Sequence, residues 1–267
     1  MSRPVIALMT DFGLEDFFVP SLKAVILSLN PEARLVDISH SVRSFDIPSA
    51  SFLLQACFRF FPAGTIFLAV VDPGVGSGRR ILVAETERYV FIGPDNGLLA
   101  MSLEASAERR VRAVTKKSYF LTDRATMFEG RDRMAPLAGW LSLGVPPDEF
   151  GPLVEDYVSL TLPKSCVRSG EIIGHVAYID KFGNVITDIP AARLPASPAR
   201  RKPPALSLSV RGKTVTSCRS FYARGSRREP FVLAGSLGLI EIAVREGSAA
   251  SELGAEVGDV IVLRTDG

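Results

Sequence analysis

Apolar positions along this chain change their rhythm past its middle. In the first half, short continuous apolar runs alternate with stretches of helical spacing. "PVIALMT" (4–10) reads as a buried strand ending at Asp11, followed by a turn at "DFG" and a helical stretch from about Phe17 to Leu29, closed by Asn30-Pro31. "ARLVDIS" is a second strand, and "SFDIPSASFLLQACFRFF" a capped helix beginning near Ile47. "TIFLAVVD" is a third apolar strand, and "RILVAET" and "YVFIGPDNG" are two more with a turn between them. "EGRDRMAPLAGWLSLG" carries Met134, Leu137, Ala138 and Leu141 at helical spacing. Such alternation predicts a sheet covered by helices, which binds ligands at the carboxyl ends of its strands. Asp11 and Asp72 both fall there.

After "LTLPKSCVRSGE" the pattern becomes strands and turns. "EIIGHVAYID", "NVITDI", "ALSLSV", "PFVLAG", "LIEIAV" and "DVIVLR" are apolar or alternating runs separated by Gly and Pro. The expected fold is therefore an α/β N-terminal domain with a helix-covered central sheet (1–163) and a smaller all-β, barrel-like C-terminal domain (164–267). "AARLPASPARRKPPA" (191–205) reads as a mobile loop within the second domain. No internal repeat is visible.

A length of 267 residues suits two unequal domains, and 47% apolar with 22% charged residues suits a chain that buries a real core. The formal charge of +2 argues for no nucleic-acid or membrane partner beyond local patches. The N-terminal apolar run is too short for a secretory or membrane segment, so a cytoplasmic location is expected. Cys57, Cys166 and Cys218 form no CxxC pair and are expected to be buried free thiols in a reducing compartment. With only two histidines, His40 and His175, most metal sites and histidine-centred acid–base schemes are removed, and both read as structural. No metal and no cofactor is expected.

Four stretches carry candidate chemistry. "VVDPGVGSGRR" (70–80) has GxGxG spacing, neither a dinucleotide fingerprint nor a P-loop. It places Asp72 at a strand end, glycines that let backbone approach a ligand, and Arg79 or Arg80 able to curl back; a plain turn with solvated arginines fits equally. "TDFG" offers Asp11, able to accept two hydrogen bonds from a sugar diol or simply to cap its turn. "FEGRDRMAP" puts Glu129, Arg131 and Asp132 at a helix start, where a carboxylate can cap or can face the glycine bend as a catalytic group. "YIDKFGNVITDI" puts Asp180 and Asn184 in a Phe-Gly turn, an ordinary hairpin or an amide placed to read a purine edge.

Taken in order, "TDFG" with Asp16, "NPEARLVDISHSV", "FPAGTIFLAVVDPGVGSGRR", "PDNGLL", "FEGRDRMAP", "IDKFGNVIT" and "GSLGLIEIAV…LGAEVGD" resemble the S-adenosylmethionine hydroxide adenosyltransferases, relatives of the fluorinases and chlorinases. The resemblance implies a β-barrel second domain and a homotrimer whose sites lie between the N-domain of one subunit and the C-domain of its neighbour. It implies displacement at ribose C5′ of S-adenosylmethionine by water, giving adenosine and methionine, with that compound as substrate rather than cofactor. By position, Asp11 would hold the ribose hydroxyls, Asp16 the methionine part, and Phe45 the ribose pocket. Asp180 would meet the methionine ammonium and Ser236 its carboxylate; Asn184 would read adenine and Phe221 pack on it. Of the family's Asp, Arg and His around the water, Asp72 and Arg79 match the first two. Glu129 stands where His is usual, and acts as polar orienter or as base. Two alternatives stay open: a silent binder of S-adenosylmethionine or adenosine, and transfer of halide. The second is disfavoured because a carboxylate ~4 Å from an incoming halide costs about 4 kcal/mol at an effective dielectric of 20.

Overall fold

The structure is a computed structural model that describes residues 3–124, 126–194 and 206–265. The chain forms two compact units, Met1–Leu160 and Thr161–Gly267. The first is α/β: β1 (Val5–Thr10), α1 (Phe18–Leu29), β2 (Arg34–Ser39), α2 (Ile47–Cys57), β3 (Ile66–Val70), β4 (Ile81–Thr86), β5 (Val90–Pro94), α3 (Ala100–Glu104), β6 (Arg109–Ala113) and α4 (Ala135–Ser142). Its mixed sheet has the order β2-β1-β3-β5-β4-β6. The pairs β1/β2, β1/β3 and β3/β5 are parallel, whereas β4 pairs antiparallel with both β5 and β6.

Strands covered on both faces need apolar side chains at every position, which is why β1 and β3 read as unbroken apolar runs. Along them Ala7, Met9, Phe67 and Ala69 face α2 and α3 through Ala50, Leu54 and Leu103. Ile6, Leu8, Leu68 and Val70 face α1 and α4 through Leu22, Ile26, Leu137 and Ala138. Helix α2 starts at the Asp46 cap, whose carboxylate accepts from the Ser49 backbone N–H at 3.0 Å and the Ser49 hydroxyl at 2.8 Å. At the end of α1, Asn30 Nδ2 donates to Ser142 Oγ at 3.0 Å, tying that helix to the end of α4.

The second unit contains β7 (Cys166–Arg168), β8 (Glu171–Ile179), β9 (Val185–Pro190), β10 (Leu206–Val210), β11 (Lys213–Val215), β12 (Phe231–Ala234), β13 (Leu239–Ala243), the short α5 (Ala249–Leu253) and β14 (Val260–Thr265). Its antiparallel, near-barrel sheet runs β11-β10-β14-β8-β9-β13-β12, with β7 on β8. Its core is branched aliphatic, including Val176, Val185, Leu208, Ile240, Ile242 and Ile261.

Several elements differ from expectation. The strand β6 was not legible, because its three arginines conceal that only Val111 and Ala113 face inward. The expected helix over "EGRDRMAP" begins as a π turn, Gly130–Met134, and becomes α-helical only at Ala135. Cys166 is exposed rather than buried, since β7 is an edge strand with no layer over it, and Cys57 and Cys218 are half-buried free thiols. Burial pushes the Cys57 thiol up to about 11. Most of the 191–205 loop, residues 195–205, lies outside the described residues. Among the described residues no helix is long and apolar enough to cross a membrane.

Candidate active site

The strand order of the first unit puts β2 on one side of β1 and β3 on the other, so the direction in which strands are added to the sheet reverses between β1 and β3 while the strands stay parallel. The crevice outside the carboxyl ends of two such strands is where open α/β sheets bind ligands. Thr10 of β1 is in register with Val70 of β3, and Asp11 and Asp72 follow one and two residues beyond that pair, at the same end of the sheet.

From Asp72 the glycine bend turns back on itself. The Val75 N–H donates to the Asp72 carbonyl at 3.3 Å and the Ser77 N–H to the Gly74 carbonyl at 3.0 Å. Gly76 takes a φ of 80°, which a side chain would oppose. The result is that Arg79 returns to Asp72: Nε donates to Oδ1 at 2.8 Å and Nη2 donates to Oδ2. The same Nη2 donates to Oε2 of Glu129, and Oε1 of Glu129 accepts from Arg133 Nη1. Gly130 sits against Val70, with room for no more than ordinary contact, and this brings Glu129 to the end of β3. Asp72, Arg79 and Glu129 are each more than nine-tenths buried at the side chain. Burial works against the Arg79 charge, but the hydrogen bonds and charges of Asp72 and Glu129 outweigh it and hold the guanidinium more firmly protonated than usual. Its remaining amino group, Nη1, is buried and meets no protein acceptor among the described residues. Arg80 takes the opposite direction, to Asp95 at 2.7 Å and Asp156 at 2.7 Å.

The capping alternatives for two of these carboxylates are not realised. Glu129 caps no backbone N–H of its turn. Asp11 accepts from the backbone N–H of Phe45, thirty-four residues away, at 2.9 Å. Phe45 has a φ of 67° and is 70% exposed, a strained conformation for a bulky residue of the kind that gathers at functional sites. Asp16 lies exposed in the bend before α1. Phe12, Phe18 and Phe128 meet with centroids 5.3 to 5.6 Å apart, locking the Asp11 loop, the start of α1 and the approach to Glu129 together.

The second unit gathers another group. Asp180 Oδ1 accepts from the N–H groups of Phe182 at 2.8 Å and Asn184 at 2.9 Å, and Oδ2 accepts from Asn184 Nδ2 at 2.8 Å. The two therefore hold one another in a turn, as an ordinary hairpin would, with Asn184 buried. Gly183, at φ 82°, lies so close to Ser248 that a Cβ would sit 2.1 Å from its hydroxyl. Phe221 is exposed, and Ser236 is exposed in the turn between β12 and β13. Of the histidines, His40 bonds to Thr10 Oγ1 at 2.8 Å and His175 faces Asp188 at 3.3 Å.

The chain matches the SAM hydroxide adenosyltransferase N-terminal domain over residues 6–151 and the C-terminal domain over residues 174–262. It is 36% identical over 264 residues to an (R)-S-adenosyl-L-methionine hydrolase from Thermus thermophilus, covering 96% of this chain and 97% of that one. The chain belongs to the SAM hydroxide adenosyltransferase family. A hydrolase of the same name from Salinispora tropica is 35% identical over 96% of each chain, and a fluorinase from an Actinoplanes species is 28% identical over 70% of this chain and 72% of its own. The crystal structure of an uncharacterized conserved protein from Thermotoga maritima superposes with a TM-score of 0.88 at 32% identity, covering 97% of this chain and 99% of that one.

Within this adenosyltransferase the structure also brings in groups the sequence reading did not single out. Arg133 was signalled only by its four-residue spacing from Glu129. Glu241, a polar residue inside the apolar run "LIEIA", is buried on β13 and accepts from the Tyr222 hydroxyl. Burial pushes its carboxyl up, the Tyr222 hydrogen bond opposes this, and the nearby Asp180 charge adds to it. A carboxyl raised in the folded state contributes most stability below the ordinary carboxylate range and loses it as pH climbs through the raised value. Glu241→Gln keeps the acceptor for Tyr222 and removes that loss. The variant's melting temperature should therefore gain on the wild type between pH 5 and pH 8; a difference that stays flat across this range contradicts the assignment.

Proposed function

We propose that this protein hydrolyses S-adenosyl-L-methionine to adenosine and L-methionine. The observation that carries this reading is the buried Asp72–Arg79–Glu129 cluster at the switch point, in a chain similar from end to end to proteins named for that hydrolysis. Water attacks ribose C5′ opposite the sulfonium, and its oxygen bonds to carbon as the C5′–S bond breaks. Both electrons of that bond go to sulfur, which leaves as a neutral thioether and needs no proton. The one proton to be moved is the water's own, taken by Asp72 and released to solvent. The unsatisfied Nη1–H of Arg79 is the donor that steadies hydroxide character as the proton leaves.

On this reading Asp11 and Phe45 hold the ribose and Asp16 the methionine part. Asp180, Asn184, Phe221 and Ser236 take the methionine ammonium, adenine and carboxylate as the resemblance assigns them. The assembly we propose is the homotrimer, with the groups of the second unit supplied by a neighbouring subunit. Phe45, Phe182 and Phe221, 70%, 74% and 65% exposed beside those groups, are apolar surface that ligand and subunit contacts would cover. Sedimentation of the purified protein should give three chains per particle, and a monomer overturns that assembly.

The decisive experiment is incubation with S-adenosylmethionine, with and without chloride, followed by chromatography. Adenosine and methionine in equal amounts, independent of chloride, are expected. Bound but unchanged S-adenosylmethionine would mark a silent binder, and a chloride-dependent product a halide transferase.

A further inference from the structure

We propose that Arg133 is a positioning residue of the hydrolytic site: it neutralises Glu129, so that Glu129 remains a clamp on Arg79 and Asp72 alone takes the water's proton. The proposal rests on the hydrolase reading and adds a fourth member to the Asp, Arg and Glu already named.

Both oxygens of Glu129 are occupied, Oε2 by Arg79 and Oε1 by Arg133. Asp72 is also held at both oxygens, but by one guanidinium, whereas Glu129 answers to two; the second cation makes Glu129 the weaker base of the pair and leaves it the orienter. The π turn Gly130–Met134, closed by the Ala135 N–H on the Gly130 carbonyl, carries Arg133 back onto Glu129. Arg133 is itself held from outside, with Nη2 donating to the Arg124 carbonyl at 3.4 Å and its guanidinium 5.5 Å over the Phe120 ring. Without it, two buried carboxylates would share the single cation Arg79, and like charges so placed take up one proton between them. That proton would compete with the one Asp72 must accept. With it, the four side chains alternate in sign and balance. Glu129 and Arg133 together carry no net charge.

Among the described residues the ion pairs of Glu129 are those with Arg79 and Arg133, and the loop that holds Arg133 from outside carries Asp123 and Arg124. Arg131 and Asp132 of the same turn pair with each other at 2.6 Å, with Thr126 completing that group. Helix α1, packed against the turn, carries only Lys23, which pairs with Asp37 at 2.7 Å. Helix α4 and strand β3 contribute no charged residue.

The test uses Arg133→Met, Arg133→Lys, Glu129→Gln and the double variant Glu129→Gln/Arg133→Met in the full chain. Arg133→Met should lower kcat about 10- to 100-fold with KM within about threefold, and move the acidic limb of the pH–kcat profile up by about one unit. Arg133→Lys should recover most of the loss, and the double variant should be no slower than the slower single one. A wild-type acidic limb in Arg133→Met, or single losses that multiply in the double variant, overturns the proposal. Melting temperatures from pH 5 to pH 8 give a readout that needs no turnover. Arg133→Met should be least stable at neutral pH, recover on acidification, and show no such trend when Glu129 is already Gln. If the wild type leaves S-adenosylmethionine intact, the hydrolase reading fails, and this melting cycle still decides whether Arg133 balances Glu129. A trend that is the same with Gln at position 129 overturns it.

Discussion

Asp72→Asn is expected to lower kcat for S-adenosylmethionine hydrolysis by about a hundredfold to ten-thousandfold, the usual loss on removing a positioned general base. The amide is nearly the same shape, so it can still accept from Arg79 Nε, but it cannot take a proton from water. The affinity for S-adenosylmethionine, measured by calorimetry, should change by less than about fivefold, because the loss falls on the transition state and not on the bound substrate. The pattern distinguishes Asp72 from a residue that only holds the fold together. Asp72 sits just beyond the apolar strand β3, at the end of the sheet where Asp11 follows β1, and the β1/β3 pairing ends before it at Thr10 and Val70. A variant within tenfold of wild-type kcat would remove Asp72 as the base and return Glu129 to that role.

Much of this arrangement could be read before any coordinates. Asp11 and Asp72 were placed at strand ends because buried parallel strands are unbroken apolar runs, and the first polar residue after such a run marks its carboxyl end. The resemblance then located Arg79 and Glu129 as partners. What could not be read were contacts that depend on closure over long stretches of chain. Glu129 and Arg79 are fifty residues apart, and they meet through the seating of Gly130 against Val70 and the packing of Phe128 on Phe12 and Phe18. The hydrogen bond from the Phe45 N–H to Asp11 depends on a backbone conformation that residue type alone argues against. In the second unit, the chemistry of Asp180 and Asn184 was legible as a motif, yet the two side chains satisfy one another. Tyr222 and Glu241, which bond to each other and feel the Asp180 charge, come from a 3₁₀ turn and a strand far along the chain.

Arg79→Met should be the most damaging single substitution in the first unit, because the guanidinium serves two carboxylates at once. Removing one partner of a buried ion pair costs about 3–5 kcal/mol, most of it the penalty of the charge left behind. Glu129 retains Arg133, so the burden falls on Asp72, and the loss belongs toward the lower end of that range. At roughly 2–4 °C per kcal/mol for a chain of this size, the melting temperature should fall by about 6–12 °C. The fall has a defined pH dependence. Without the cation, the folded state holds a proton on the carboxylates that the unfolded chain has already released at neutral pH, so stability rises as pH falls toward the ordinary carboxylate range. The gap between variant and wild type should therefore narrow from pH 7.5 to pH 5. Hydrolysis should fall by at least about a hundredfold, since the donor that steadies the nucleophile is gone. Arg79→Lys tests geometry apart from charge. A lysine restores the cation but cannot reach Asp72 through two parallel bonds and Glu129 through a third, so it should recover most of the melting temperature and little of the rate. If Lys restores both, the cluster needs only a positive charge, and the fork formed by Arg79 Nε and Nη2 has no part in the reaction.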